Sequence, residues 1–248
     1  SVLTALKRLI MIPSISSMPE HDDNVLSAAD GVANLLRDAG CPDVRMLHVP
    51  AGKPAVFGHY PAPAGAPTVL LYAHYDVQPV DPLALWVTPP FEPDVREGKL
   101  YARGAVDDKS GVFLHLKALE SVLNATGKLP INAKIIFEGE EESGSPTMEP
   151  FIRAHRDLLN ADAVVISDGG SSTEIPEIGA SVRGIVTAEV HVKGPDRDLH
   201  SGGFGGVVHN PTHMVARIIA ALHDDEGRIQ IPGFYDAVLP VSESARAW

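Results

Sequence analysis

The sequence is poor in three features that would point to particular classes of protein. Its 248 residues include one cysteine, Cys41, so no disulfide can form within the chain, and a reducing, cytoplasmic location is predicted. The longest apolar runs, such as Val69–Ala73 and Ala161–Ile166, are far shorter than the roughly 20 residues that cross a bilayer. Positive charge is scarce: 20 Lys and Arg against 32 Asp and Glu give a net charge of −12. An acidic surface repels phosphate groups, so neither a nucleic acid nor a membrane surface is expected as a partner.

The residues that are present predict an α/β fold. Apolar residues make up 44% of the chain, which is typical of a globular protein with a substantial core. Short, largely apolar runs predict buried strands at Val69–Ala73, Asn132–Phe137 and Ala163–Ile166. Helical periodicity predicts helices between them, at Asp107–Asn124 and Met148–Leu159. Strands that alternate with helices favour a mostly parallel central sheet flanked by helices.

Weaker patterns complete the outline. Further predicted elements are a short opening helix before Pro13, a helix over Asp23–Ala39, strands at Val44–Val49 and Pro54–His59, and a helix from Pro211 to about His223. Residues Ile185–Val192 alternate as a half-exposed strand would. Because this texture differs from the apolar strands before it, we predict two domains, 1–178 and 179–248, the second being the beginning of a smaller α+β unit.

Polar side chains follow three of the predicted strands, at the edge where ligands of such sheets bind. His74 and Asp76 follow the first strand, Glu138–Glu142 the second, and Asp168 the third. Residues two apart in a strand project to the same side, and a metal-bound imidazole usually has a carboxylate behind it. His74 with Asp76 therefore fits a metal ligand and its orienting acid, although a polar surface turn is an open alternative.

Two acidic groups add to this pattern. Asp107 and Asp108 open a helix, where simple capping explains one of the two acids. Glu140, Glu141 and Glu142 are adjacent like charges, which repel one another unless a cation lies near. Carboxylate and imidazole donors suit zinc, manganese or cobalt, and a further carboxylate can act as general base on a metal-bound water. A solvated acidic loop is the alternative interpretation of the three glutamates.

Several motifs in this order resemble the co-catalytic zinc peptidases, the family of carnosinase, bacterial dipeptidases, aminoacylase and succinyl-diaminopimelate desuccinylase. The matching stretches are Tyr72–Pro79, Gly98–Gly104, Asp107–Lys109, Glu138–Ser145 and Ile166–Asp168. A further stretch, Asp198–Gly202 followed by Phe204–Gly206, is most similar to the branch of carnosinase and the cytosolic dipeptidases.

The resemblance implies two divalent metal ions per active site, with zinc expected first and manganese or cobalt as alternatives. His74 and Asp168 match the ligands of one metal. Asp107 matches the carboxylate that bridges both metals, and Glu142 matches a ligand of the second. The late histidine that completes the second site in the family has no counterpart here, so we expect the polypeptide to continue past residue 248.

The resemblance also implies catalytic roles. Glu141 matches the general base, and Asp76 matches the acid that orients the first histidine. His200 matches a lid-domain histidine that, in the family's dimers, reaches the partner's active site and stabilises the oxyanion.

Together these matches imply a zinc-peptidase-type catalytic domain over 1–178 and an incomplete lid and dimerisation domain over 179–248. The expected activity is hydrolysis of dipeptides or similar small peptides by a homodimer that associates through the lid. An N-acyl-amino-acid deacylase or a carboxypeptidase with the same metal centre is the alternative. A non-catalytic fragment is a further alternative, which applies only if the polypeptide ends at residue 248.

Overall fold

The computed structural model describes residues 1–170, 174–175, 177–179 and 182–246. The chain divides into two compact units, residues 1–177 and residues 178–248. Among the described residues, none of the helices combines the length and apolarity that a membrane span requires.

Among its described residues, the first unit contains five α-helices, three short 3-10 helices and seven strands. The α-helices are α1 (Val2–Ile10), α2 (Asp22–Asp38), α3 (Lys109–Thr126), α4 (Met148–Ala154) and α5 (Arg156–Leu159). The strands are β1 (Asp43–Leu47), β2 (Ala55–Tyr60), β3 (Thr68–His74), β4 (Asp94–Arg96), β5 (Lys99–Tyr101), β6 (Asn132–Glu138) and β7 (Ala163–Ile166). Apart from the helix predicted at Met148–Leu159, every helix and strand predicted for this unit is present within about two residues of its expected ends, and the β4–β5 hairpin adds to them.

Five of the strands form one mixed sheet, in the order β1-β2-β6-β3-β7. The three strands with polar residues at their ends, β3, β6 and β7, run parallel, as predicted. β1 and β2 are antiparallel to their neighbours. The α/β class is therefore confirmed, and the parallel part of the sheet brings three carboxyl ends to one edge. His74 pairs with Glu138 across that edge, and Tyr72 pairs with Ile166.

Helices cover both faces of the sheet. On one face, α1, α2 and α3 bury an apolar cluster against the sheet. On the opposite face, α4 packs Phe151 against Phe57 and Ile136. The stripe of α2 shows why the helix docks: Val25, Val32 and its other inward residues are buried, and each large aliphatic side chain contributes about 1.5–3 kcal/mol on burial. This packing fixes the sheet that carries the polar edge.

Two expectations for the first unit need correction. β7 is a strand but is not buried: Val164 and Ile166 are 59% and 63% exposed, because β7 lies at the edge of the sheet with β3 as its one neighbour. The helix expected at Met148–Leu159 is broken at His155 into α4 and α5. The apolar pattern runs on through the break, so periodicity alone does not reveal it.

The second unit contains three helices among its described residues: α6 (Ser201–Phe204), α7 (Pro211–Ala220) and α8 (Glu243–Arg246). α7 begins where predicted, with Pro211 in the first turn and the Asn210 side chain accepting the Thr212 N–H at 2.9 Å. The strand expected at Ile185–Val192 is wrong, since these residues form no strand. Alternating apolar and polar residues can give a strand one apolar and one polar face, but they do not provide the neighbouring strand that its backbone hydrogen bonds require.

Candidate metal centre

The centre is organised around the imidazole of His74, the last residue of β3. Its side chain is fully buried, and Nδ1 lies 3.2 Å from Asp76 Oδ1 and 3.2 Å from the Asp76 carbonyl oxygen. With the Nδ1 proton donated to these acceptors, Nε2 is the nitrogen that can bind a metal. Nε2 lies 3.0 Å from Asp107 Oδ1, 3.8 Å from Glu141 Oε2 and 3.9 Å from Asp168 Oδ2. Residues far apart in the sequence thus converge on one nitrogen.

The ligand atoms fall into two overlapping groups that share His74. One group combines His74 with Asp108 and Asp168, and the other combines it with Asp107 and Glu142. Within each group the potential ligand atoms lie within 4.8 Å of one another. One imidazole nitrogen and several carboxylate oxygens are the donors that suit zinc and manganese. The side chains present therefore fit divalent metal ions.

Asp76 connects the imidazole to the loop after β6. The carboxylate is fully buried and accepts the backbone N–H of Glu141 at 3.2 Å and that of Glu142 at 2.9 Å. These two residues begin a 3-10 turn, so one acid holds both the His74 ring and the turn that presents the two glutamates. The role expected for Asp76 stays a prediction, but its contacts are those of an orienting residue.

The three consecutive glutamates have different environments. Glu141 and Glu142 lie beside His74 and Asp107. Glu140 is buried, and its carboxylate accepts the backbone N–H groups of Lys53 and Thr147, each at 3.0 Å. Its hydrogen-bonding capacity is therefore used by the fold.

Electrostatics favour a cation at the His74 cluster, the group made up of His74, Asp107, Asp108, Glu141, Glu142 and Asp168. Burial is the largest influence on the pKa of His74 and lowers it, but the hydrogen bond and charge of Asp76, with Asp108 and Glu141, raise the pKa to about 10. Burial raises the pKa of Asp108 to about 7, and it raises the pKa of Glu141 and Glu142, with added repulsion from neighbouring carboxylates. The cluster therefore retains a proton on the imidazole and resists the ionisation of its acids, which is the state that a metal ion would relieve.

Apart from the His74 ring itself, no basic side chain of the described residues forms an ion pair with these acids. Within the part of the chain that the structure describes, the ion pairs of Lys and Arg all involve acids outside the cluster. Asp107 is the most accessible of the carboxylates, with 59% of its side chain exposed. The cluster is thus open to solvent on the Asp107 side and closed behind His74.

Sequence reasoning assigned no role to Asp108 and Gln78. Asp108 is buried, makes no capping hydrogen bond with its side chain, and accepts the His74 backbone N–H at 3.2 Å. Gln78 donates to Glu142 Oε2 at 2.6 Å. A Cβ at Gly111 would overlap the Asp108 carboxylate and the carbonyl oxygen of Ser167, and this constraint is visible only in the folded structure. For Gln78 the only signal was its place in the motif that follows β3.

His200 belongs to the second unit. It precedes α6, and its Nδ1 accepts the backbone N–H of Gly202 at 3.0 Å. It also lines a cavity of about 650 Å³ together with Asp198, Ser201 and neighbouring residues of the same unit. The neutral ring then carries its proton on Nε2, which makes that nitrogen a hydrogen-bond donor.

Known proteins resemble this chain along most of its length. A cysteinylglycine-S-conjugate dipeptidase of Corynebacterium striatum is 36% identical over 94% of this chain and 51% of its own length. The human Beta-Ala-His dipeptidase is 38% identical over 82% of this chain and 40% of its own. An M20 family metallo-carboxypeptidase from Sulfolobus solfataricus, Sso-CP2, superposes with a TM-score of 0.79 at 32% identity, over 100% of this chain and 55% of that protein.

The chain thus spans about half the length of the curated relatives it matches. The model of peptidase family M20/M25/M40 matches residues 70–239, which include every residue of the His74 cluster and His200. This chain belongs to peptidase family M20/M25/M40.

Proposed function

We propose that the protein containing this chain is a dipeptidase with two metal ions in its active site, with zinc as the first expectation and manganese or cobalt as alternatives. The observation that carries the proposal is the convergence of four carboxylates, those of Asp107, Asp108, Glu142 and Asp168, on the imidazole of His74. The names of the curated relatives, both of them dipeptidases, support small peptides as substrates.

In this proposal His74 and Asp168 would hold one ion, Glu142 would hold the second, and Asp107 would contribute to both. The contacts of the two adjacent aspartates support this assignment. Asp107 is accessible and faces His74 Nε2, whereas Asp108 is buried and occupied by a backbone N–H. Bound divalent ions would acidify a water molecule and polarise the amide carbonyl.

Glu141 is proposed as the general base. Its carboxylate is partly exposed, faces the cluster through Oε2, and has a raised pKa because of burial and neighbouring acids. A raised pKa suits a group that takes a proton from the attacking water and returns it to the leaving amine. The contacts of Glu140 with Lys53 and Thr147 support choosing Glu141 for this role.

His200 is proposed to stabilise the oxyanion in the active site of a partner subunit, within a homodimer that associates through residues 179–248. The hydrogen bond from Gly202 supports this role, because it leaves Nε2–H free to donate. A cytoplasmic location is part of the proposal and depends on the single, unpaired Cys41.

A carboxypeptidase is the second candidate activity, and the similarity to Sso-CP2 is what favours it. A panel of free dipeptides, N-blocked dipeptides and N-acyl amino acids separates the candidates. Dipeptidase activity requires cleavage of the free dipeptides. Preference for N-blocked peptides favours a carboxypeptidase, and preference for N-acyl amino acids favours a deacylase.

The metal requirement is tested on the full-length protein. Removal of metal with a chelator should abolish hydrolysis, and addition of zinc, manganese or cobalt should restore it. Full turnover in excess chelator, with metal content verified as nil, contradicts the proposal.

The role of Glu141 is tested by Glu141→Gln, with Glu149→Gln as a matched control on the exposed face of α4. Loss of a general base should lower kcat about 100-fold or more while metal stoichiometry stays at the wild-type value. Loss of metal from Glu141→Gln but not from Glu142→Gln would instead make Glu141 the ligand.

Sharing of His200 between subunits is tested by mixing two inactive variants, His200→Ala and Glu141→Gln. One site of each mixed dimer would contain both wild-type residues, so activity should return. No recovery in verified mixed dimers contradicts the shared arrangement.

A further inference from the structure

Glu140 occupies the centre of the loop that presents Glu141 and Glu142. Its own carbonyl oxygen accepts the backbone N–H of Ser143 at 3.2 Å, the Ser143 hydroxyl at 3.0 Å and the N–H of Ser145 at 3.0 Å. These bonds close the loop immediately after the two glutamates. The backbone of residue 140 therefore defines the turn.

The side chain of Glu140 ties this turn to two other segments. Oε2 accepts the N–H of Lys53, which lies in the loop between β1 and β2. Oε1 accepts both the N–H and the hydroxyl of Thr147, at the start of α4. Three donors thus converge on one buried carboxylate, and hydrogen bonds to an ionised acceptor are the stronger kind.

The position of Gly52 provides an independent sign that these segments must meet closely. A Cβ on Gly52 would overlap the Thr147 hydroxyl oxygen, which donates to Glu140. Any larger residue at position 52 would push Thr147 away from the carboxylate. The loop before β2 is therefore shaped to let this link form.

Two buried acids thus hold the same turn from different sides. Asp76 binds the N–H groups of Glu141 and Glu142. Glu140, the residue immediately before them, is anchored by its own side chain to Lys53 and Thr147. A turn held at both points has little freedom to change the direction of its two glutamate side chains.

We propose that Glu140 is a positioning residue that fixes Glu141 and Glu142 relative to His74, and that it binds no metal itself. The inference rests on the proposed function, since it assigns Glu140 a part in metal binding and turnover through its neighbours. Partners that support metal ligands in this way typically change metal affinity or activity about 10- to 100-fold when they are removed.

The test uses Glu140→Gln and Glu140→Met in the full-length protein, with Glu149→Gln as the control for loss of one negative charge. Metal affinity is measured by competition with a chromophoric chelator, and kcat and KM are measured at saturating metal. Glutamine retains one acceptor oxygen and methionine retains none. The expected result is a graded loss, with Glu140→Met lowering metal affinity or kcat roughly 10- to 100-fold, Glu140→Gln lowering it less, and KM changing little.

A purely structural role predicts a different pattern. If Glu140→Met melts at a lower temperature but keeps wild-type metal affinity and kcat within about twofold, the proposal is overturned. Should neither Glu140 variant fold, Thr147→Val and Gly52→Ala weaken the same link while retaining the acid. A fall in metal affinity or kcat in these two variants supports the positioning role, and values within about twofold of wild type overturn it.

The wild-type measurement separates this test from the test of the proposed function. A wild-type protein that binds no divalent metal, or that binds metal and cleaves no small peptide, contradicts the proposed function itself. A metal-binding, active wild type with unaffected Glu140 variants contradicts only the positioning role.

Discussion

Replacement of Asp76 by asparagine would test how the centre is held, because it preserves the shape of the side chain and changes only its hydrogen bonding. Three donors converge on the two carboxylate oxygens. His74 Nδ1 and the Glu141 N–H each lie 3.2 Å from Oδ1, and the Glu142 N–H lies 2.9 Å from Oδ2. All three contacts are made by a fully buried side chain.

The cost of the substitution follows from this count of donors. Asparagine offers one acceptor oxygen, and its amide nitrogen only donates. The better orientation places the oxygen at the Oδ1 position and leaves the Glu142 N–H facing the amide nitrogen. One buried donor without a partner costs about 1–3 kcal/mol, so the free energy of unfolding of the metal-free protein should fall by that amount. The opposite orientation leaves two donors without acceptors and costs more.

Metal binding should weaken as well. Asp76→Asn removes the charge that orients the His74 ring and displaces the backbone of Glu142, so metal affinity should fall roughly 10- to 100-fold. Denaturant unfolding of the metal-free protein and competition with a chelator measure the two effects. Asp162→Asn is a matched control, because Asp162 accepts one backbone N–H, from Thr68, at an exposed site. Unchanged unfolding and metal affinity in Asp76→Asn would refute the reasoning.

Three further predictions concern the same unit. Because the pKa of His74 is about 10, metal must displace its proton, and the apparent metal affinity should rise about tenfold per pH unit between pH 7 and 9 in a pH titration; a flat profile contradicts this. Gly111→Ala places a Cβ on the Asp108 carboxylate, so denaturant unfolding should report a loss of about 1–3 kcal/mol. Lys109→Met removes a buried amino group that donates to the carbonyl oxygens of Leu9 and Ile12, and should cost about 1–3 kcal/mol in the same assay, whereas the exposed Lys128→Met should cost almost nothing.

The parts of the fold that sequence patterns predict are those decided locally. The apolar run at residues 69–73 and the apolar stripe of α2 indicate which side chains avoid water, and most of these side chains are buried in the structure. The direction of β1 and β2 depends on which strand each one meets, and β2 pairs antiparallel with β6, which lies more than 70 residues later in the chain. Local alternation holds no information about such a partner.

The same limit explains the errors at β7 and in the second unit. Val164 and Ile166 are apolar, as in a buried strand, but their exposure depends on what else covers that edge of the sheet. The alternation at 185–192 is compatible with a strand, yet a strand forms only where a neighbour completes its hydrogen bonds.

The sequence patterns named most of the acids that the fold brings near His74, but they assigned no role to Asp108. The different environments of neighbouring acids were harder to predict. The sequence does not state that Glu140 turns toward Lys53 and Thr147 while Glu141 and Glu142 face the cluster. That difference arises because Glu140 accepts hydrogen bonds from Lys53 and Thr147, whereas Asp76 accepts the backbone N–H groups of Glu141 and Glu142, and it becomes visible only when these segments meet.

The energetics of the cluster explain why its acids are arranged in this way. Burial and like charges raise the pKa of Glu141 and Glu142 in the fold, so the folded metal-free state is favoured less as pH rises and these groups ionise. No lysine or arginine ion pair offsets this cost among the described residues of the cluster. Asp76 and Glu140 supply the opposing stabilisation. Each buried carboxylate accepts several hydrogen bonds, and these bonds hold the turn that contains Glu141 and Glu142. The fold therefore stabilises a concentration of negative charge that is unfavourable by itself, and this is the condition under which a divalent cation is bound most strongly.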